Sequence, residues 1–176
     1  MTSQEEQPPP DGSHIKHQLV GWGLVAIQGV LIVGIVLTPT SDAWPLSDVG
    51  EKIATGLTWA GIGVVVWAVL VFGRGVTPSP MPSSKATLQT RGPYRWIRHP
   101  MYTGVIVLMA GSALGRRNWI AAGLWVALIV FFVAKMKWEE RRLVETYPGY
   151  QAYKDTVPAL IPFPRGKSPD TTQPRT

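Results

Sequence analysis

The chain has 176 residues, 45% of them hydrophobic and 16% charged, with a formal net charge of +6 and no cysteine. That length holds one domain, and the missing cysteine excludes disulfides, zinc–thiolate centres, cysteine nucleophiles and S-palmitoylation. The basic residues flank apolar runs instead of covering a soluble face, so the charge reads as a bias toward one side of a bilayer and not as a nucleic-acid surface.

The N-terminal residues 1–17 and the C-terminal residues 164–176 are polar and rich in Pro, Ser, Thr and Gln, which predicts disordered tails. Between them, 18–163 reads as one membrane domain. Leu19–Leu37 is uncharged over 19 residues, roughly 28 Å as a helix and enough to cross the hydrocarbon core. Its length, its polar lead and the lack of a small-x-small cleavage site set it apart from a signal peptide. Residues 53–72 form a second uncharged run, closed by Gly73-Arg74-Gly75 and a proline-rich loop. The apolar stretch 101–114 is short. Arg116-Arg117-Asn118 interrupts it before 119–134 continues, which predicts two helices joined by a tight turn. A re-entrant hairpin that never reaches the far side is the alternative, and the two arginines keep it open.

The expected fold is therefore all-α, a polytopic membrane helical bundle of about four transmembrane helices with a cytosolic C-terminal helical segment. Loop 73–99 carries Arg74, Lys85, Arg91, Arg95 and Arg98 and no acid, whereas 38–52 carries Asp42, Asp48 and Glu51 against Lys52. The positive-inside rule places the first loop, both termini and the chemistry in the cytosol of a multi-pass cell-membrane protein. Trp44, Trp96, Trp119 and Trp138 fall at predicted span ends, where indole favours the interface. Gly29/Gly34 and Gly56/Gly61/Gly63 permit close helix contacts, within one chain or between two, so oligomeric state stays open.

Two short motifs carry chemistry. The first is RGPYRWIRHPMY, beginning at Arg91. Pro93 and Pro100 fix φ and bias their predecessors toward extended conformations, so this is a turn and not one helix. Pro100 suits the first turn of a following helix, which leaves His99 near an N-cap whose free N–H groups favour polar or anionic ligands. Tyr94, Trp96 and Tyr102 offer flat faces to an adenine ring or a sulfonium cation. The competing reading is an interfacial anchor, arginine on lipid phosphate and aromatics among headgroups. The second motif is Glu139-Glu140, on a helix leaving the last span. The two acids point roughly 100° apart and do not hold the same group; pairing with Lys135, Lys137 or Arg142 one turn away is the alternative.

Together, TLQTRGPYRWIRHPMYTG and EERRLVETYPGYQAYKDTVPALIPF resemble the isoprenylcysteine carboxyl methyltransferase and phospholipid methyltransferase group of integral membrane enzymes. The resemblance rests on Gly92, Tyr94, Arg98, His99, Pro100 and Tyr102, on Glu139 and Glu140, and on Tyr150, Tyr153, Val157, Pro158, Pro162 and Phe163. It covers 85–163, the half of the domain it marks as binding S-adenosyl-L-methionine. It implies that Ala86, Thr87, Leu88 and Gln89 line the cofactor mostly through backbone. It implies that Tyr94, His99, Pro100, Met101 and Tyr102 enclose adenosine and the methionine part, and that Glu139 binds the cofactor's amino group. Where the carboxyl methyltransferases carry a substrate-facing arginine, this chain has Lys135, which keeps the charge and loses the bidentate fork.

The expected reaction is transfer of a methyl group to a lipophilic acceptor arriving from the bilayer, most favourably the carboxylate of an isoprenylcysteine-like molecule. Glu140, Lys135 and Arg98 are the candidate catalytic residues. A carboxylate acceptor is already ionised at neutral pH, whereas a phosphoethanolamine amine needs a general base, for which Glu140 is the candidate. No metal site is expected; membrane lipids are the surrounding partners. Two rivals remain: an NADPH-dependent reductase of the steroid 5α-reductase type, with Arg95 and Arg98 on the 2′-phosphate, and a non-enzymatic adaptor. Methyl transfer requires Tyr102 and Glu139 to meet around one small molecule.

Overall fold

The computed structural model describes residues 12–73 and 88–162. The expected tails over 1–11 and 164–176, and the cofactor-lining positions Ala86 and Thr87, lie outside the described residues. The described chain forms α1 (Gly12–Leu37), α2 (Asp48–Phe72), a 3-10 turn (Gly92–Arg95), α3 (Pro100–Arg116), α4 (Trp119–Thr146) and α5 (Tyr150–Thr156). No strand occurs among the described residues. Helix α1 starts at Gly12, so 12–17 are helical where a disordered tail was expected. A helix nucleated by a long apolar run propagates into its polar lead, because each further residue adds a hydrogen bond without a new nucleus.

Helices α1 (over Leu19–Leu37), α2 and α4 are long and apolar enough to cross a membrane. Helix α3 has 17 residues, roughly 25 Å, yet its end sits at the same rim as the α1–α2 loop. Ser41 and Ala43 donate their N–H groups to the carbonyls of Arg116 and Arg117 at 3.0 and 3.1 Å. The Arg116 guanidinium donates to the Thr38 carbonyl at 2.7 Å, and the Asn118 amide to that of Pro39 at 3.1 Å. The α3–α4 turn therefore meets the α1–α2 loop at one rim of the bundle. The turn itself is made by Arg117 in the left-handed region (φ 50°) and by Asn118, whose side chain caps α4 through Ile120 N–H at 2.9 Å. Tryptophans pair at both rims, Trp44 with Trp119 at 4.8 Å and Trp67 with Trp96 at 5.7 Å.

Two kinds of packing hold the bundle. Ile35, Met109, Ala113, Ala121, Leu128 and Phe132 make a conventional apolar core among α1, α3 and α4. Helices α2 and α3 instead approach backbone to backbone. A Cβ on Gly61 would sit 2.3 Å from the Leu108 nitrogen, and one on Gly111 would sit 2.4 Å from the Ala54 carbonyl oxygen. Lipid removes the hydrophobic drive between helices, so small residues that allow such approach replace it. Gly56 and Gly63 meet nothing within 4 Å. Of Gly56, Gly61 and Gly63, Gly61 is therefore the one packed closely inside the chain. Outward side chains such as Val30, Leu70 and Ile120 are large, apolar and exposed, as a lipid-facing surface requires.

Gly61→Leu is expected to destabilise the protein by at least about 1–3 kcal/mol through overpacking against rigid backbone, while Gly63→Leu leaves thermal unfolding in detergent unchanged.

Candidate active site

The proline-bent turn is built from the end of α2 outward. Gln89 donates its amide to the Val71 carbonyl at 3.1 Å and accepts from Arg91 N–H at 3.1 Å. Gly92 follows in the left-handed region (φ 58°), where a Cβ would strike Val71 at 2.8 Å. Glycine is thus required twice there, for torsion and for space. Pro93 opens the 3-10 turn, and Tyr94 packs its buried ring on Phe72 at 5.7 Å. Leu88 is half-buried. Pro100, fully buried, starts α3. The open N-terminus expected at His99 is partly closed: Arg98 and His99 donate their N–H groups to the carbonyls of Pro158 and Ala159 at 2.9 and 3.0 Å. Thr103 adds a bond to the Leu160 carbonyl at 2.7 Å. The Val157-Pro158 tail is therefore a strap across the turn.

Beneath the strap lies a charged knot. Glu140, only 4% exposed, receives Arg98 Nε at 2.9 Å and Nη2 at 2.7 Å. His99 Nε2 lies 3.2 Å from the same oxygen, and Lys154 Nζ 3.2 Å from the other. The remaining Arg98 donors reach the carbonyls of Lys154, at 2.8 Å, and Val157. Glu140 and Arg98 were both expected in catalysis. The carboxylate is surrounded by three basic side chains, which leaves it a poor proton acceptor, and a guanidinium 7% exposed is not presented to a 2′-phosphate. Arg95, the other residue of that phosphate pair, is exposed.

Glu139 turns the other way along α4. Its oxygens accept from the Tyr102 hydroxyl at 2.7 and 2.6 Å, so the two residues touch. His99 and Lys135 are its electrostatic neighbours. Tyr102 is the middle of an aromatic stack, with His99 at 5.3 Å and Phe132 at 4.7 Å between centroids. Lys135 Nζ stands 5.3 Å from the Tyr102 centroid and donates to Gln28 Oε1 of α1 at 2.9 Å. Met101 is half-buried at the start of the same helix. The structure thus gathers His99, Tyr102, Lys135 and Glu139 at one place, with Arg98 and Glu140 just behind.

Several residues of this arrangement were not anticipated. Phe132 reads as one more apolar residue of a span. Gln28 had a signal, being the lone amide in the otherwise apolar Leu19–Leu37 run. Lys154 had none, because its partner is remote in sequence. In the α5 region burial pushes the Tyr153 phenol up to about 12 and raises those of Tyr94 and Tyr150 as well. These phenols stay protonated at neutral pH, and Tyr153 donates to the Tyr94 carbonyl. A cleft of about 400 Å³ lined by Ala54, Thr58, Gly111 and Arg116 lies at the opposite rim, away from every motif residue. Among the described residues no group of three or more His, Asp or Glu is placed to hold a metal ion.

Removing one partner of a buried ion pair leaves the other charge uncompensated. Arg98→Met and Glu140→Gln are each expected to lose about 3–5 kcal/mol of stability, with a double variant that loses less than the sum, read from unfolding in detergent.

The chain is 27% identical over 159 residues to the nickel-cobalt-cadmium resistance protein NccN of Alcaligenes xylosoxydans xylosoxydans, covering 88% of this chain and 68% of that one. It is 32% identical over 131 residues to the protein-S-isoprenylcysteine O-methyltransferase of Mus musculus (70% of this chain, 46% of that one). It is 31% identical over 135 residues to the Homo sapiens enzyme of that name (72% and 47%). The chain thus spans about half the length of these two methyltransferases. The model of the phospholipid methyltransferase family matches residues 49–149, from the start of α2 to the glycine before α5. On that match, and with the all-helical bundle and paired acids described above, the chain belongs to the phospholipid methyltransferase family.

Proposed function

We propose that the chain is an S-adenosyl-L-methionine-dependent methyltransferase that acts at a membrane on a lipid-linked or isoprenoid carboxylate. The observation that carries this reading is the Tyr102–Glu139 contact under a stacked aromatic layer. Glu139 is a half-buried carboxylate whose donor is a neutral phenol. Such a group suits the ammonium of an amino acid moiety, and the His99–Tyr102–Phe132 stack suits a nucleobase or a sulfonium. When bound, S-adenosylmethionine supplies a methyl group already activated by positive sulfur. The residues present fit it: Glu139 holds the amino end, Tyr102 orients that carboxylate, and Tyr94, Met101 and the backbone around Leu88 and Gln89 sit on the same side of the bundle.

The chain's own contribution is positioning and exclusion of water. The Glu140 knot fixes α3, α4 and α5 so that Tyr102 and Glu139 keep their register. Lys135, on the bundle side of Tyr102, offers positive charge to an anionic acceptor. Neutral-pH carboxylates need no general base, which accords with a Glu140 already occupied by Arg98, His99 and Lys154. The family's phospholipid members favour a second reading, N-methylation of an aminophospholipid; that chemistry needs a proton acceptor other than Glu140. An NADPH reductase has less support, since Arg98 is committed inside the protein. The excess of Lys and Arg over 73–99 supports a cytosolic location for this end of the bundle in a multi-pass cell-membrane protein.

Isothermal titration of the purified protein with S-adenosylhomocysteine is expected to give saturable heat. Tyr102→Phe weakens binding about tenfold through loss of a hydrogen bond to charge, and Glu139→Ala abolishes it. NADPH gives none. Absence of heat with adenosylhomocysteine overturns the reading. Transfer of labelled methyl to N-acetyl-S-farnesylcysteine but not to phosphatidylethanolamine vesicles is the expected acceptor result; the reverse selects the second reading.

A further inference from the structure

Lys135 is 6% exposed in the apolar interior, yet its ammonium donates to a neutral amide, Gln28 Oε1, at 2.9 Å. Among the described residues no carboxylate lies within ion-pair distance of it; Glu139, one turn on along α4, acts on it only from beyond that distance. A buried ammonium normally takes a carboxylate partner, because desolvating a charge without one is costly. An amide satisfies one donor and leaves the net charge in place. Gln28 belongs to α1, outside the 49–149 family match, and interrupts a run that is otherwise apolar. Its cost in such a helix calls for a role.

We infer that Gln28 is a positioning residue that holds Lys135 as a cation free of a direct ion pair and available to the acceptor, so that α1 sets preference for an anionic amphiphile. The inference rests on the methyltransferase reading and deepens it. Glutamine orients the ammonium without neutralising it; glutamate at the same place would orient it equally and neutralise it. Charge preference and structural support are thereby separable. Lys135 also lies 5.3 Å from the Tyr102 centroid, which puts the acceptor's charged end beside the residue that contacts Glu139.

The test is equilibrium binding of N-acetyl-S-farnesylcysteine and its carboxamide, which differ in charge and share the apolar chain. Wild type is expected to prefer the acid by about tenfold, the scale of one desolvated charge contact. Gln28→Glu and Lys135→Met each erase that preference and raise the KM for the acid; in Gln28→Glu kcat changes little and adenosylhomocysteine affinity stays at the wild-type value. Gln28→Leu with Lys135→Met loses no more than Lys135→Met alone. Gln28→Glu retaining the acid preference overturns the inference, since a purely structural hydrogen bond predicts that result; so does equal binding of acid and carboxamide by wild type. Failure of wild type to bind adenosylhomocysteine would instead remove the underlying methyltransferase reading.

Discussion

Everything at the working end of this bundle is referenced to one buried carboxylate. Glu140 gathers Arg98 and His99 from the turn before α3 and Lys154 from α5, so three elements far apart in sequence are fixed around a single side chain. Charge in such a place is unfavourable unless it is matched, and the same guanidinium also anchors the carbonyls of Lys154 and Val157. Removing any member exposes the others to the penalty. The interaction therefore confers geometric definition more than bulk stability.

The neighbouring acid has the opposite character. One residue of helix rotation takes Glu139 from the charged knot to Tyr102, where its partner is neutral. Adjacent, chemically identical residues thus enter opposite environments solely by where they point, one a charged knot and the other a phenol hydroxyl. The same contrast separates the two buried cations: Arg98 is matched by a carboxylate, whereas Lys135 is matched by an amide.

Much of the fold was legible because lipid imposes simple rules. Uncharged runs of sufficient length marked α1, α2 and α4, and Arg116-Arg117-Asn118 marked the turn into α4. The proline pair predicted the broken backbone before α3, and the paired motifs carried the family resemblance. Four things were not legible. The helical start at Gly12 depends on propagation from the apolar run and not on local composition. The occupation of Glu140 depends on Lys154, and the closure of the α3 N-terminus on the Pro158 and Ala159 carbonyls, contacts no local pattern encodes. Gly61 looked the same as Gly56 and Gly63 in sequence, since a shared spacing does not say which face meets α3.

The joining of the two interhelical loops has a mechanical meaning. Backbone bonds from Ser41 and Ala43 to Arg116 and Arg117 clamp both hairpins at the rim remote from Glu139. A rod pinned at one extremity sweeps its widest arc at the other, so thermal tilting of α1 is smallest beside the Trp44–Trp119 pair and grows toward the N-terminal half. Along the way, among the described residues, the polar tether between the shafts of α1 and α4 is the Gln28–Lys135 bond. The first helix is accordingly a lever whose fulcrum is the far rim and whose latch, among the described residues, sits toward the Tyr102–Glu139 end.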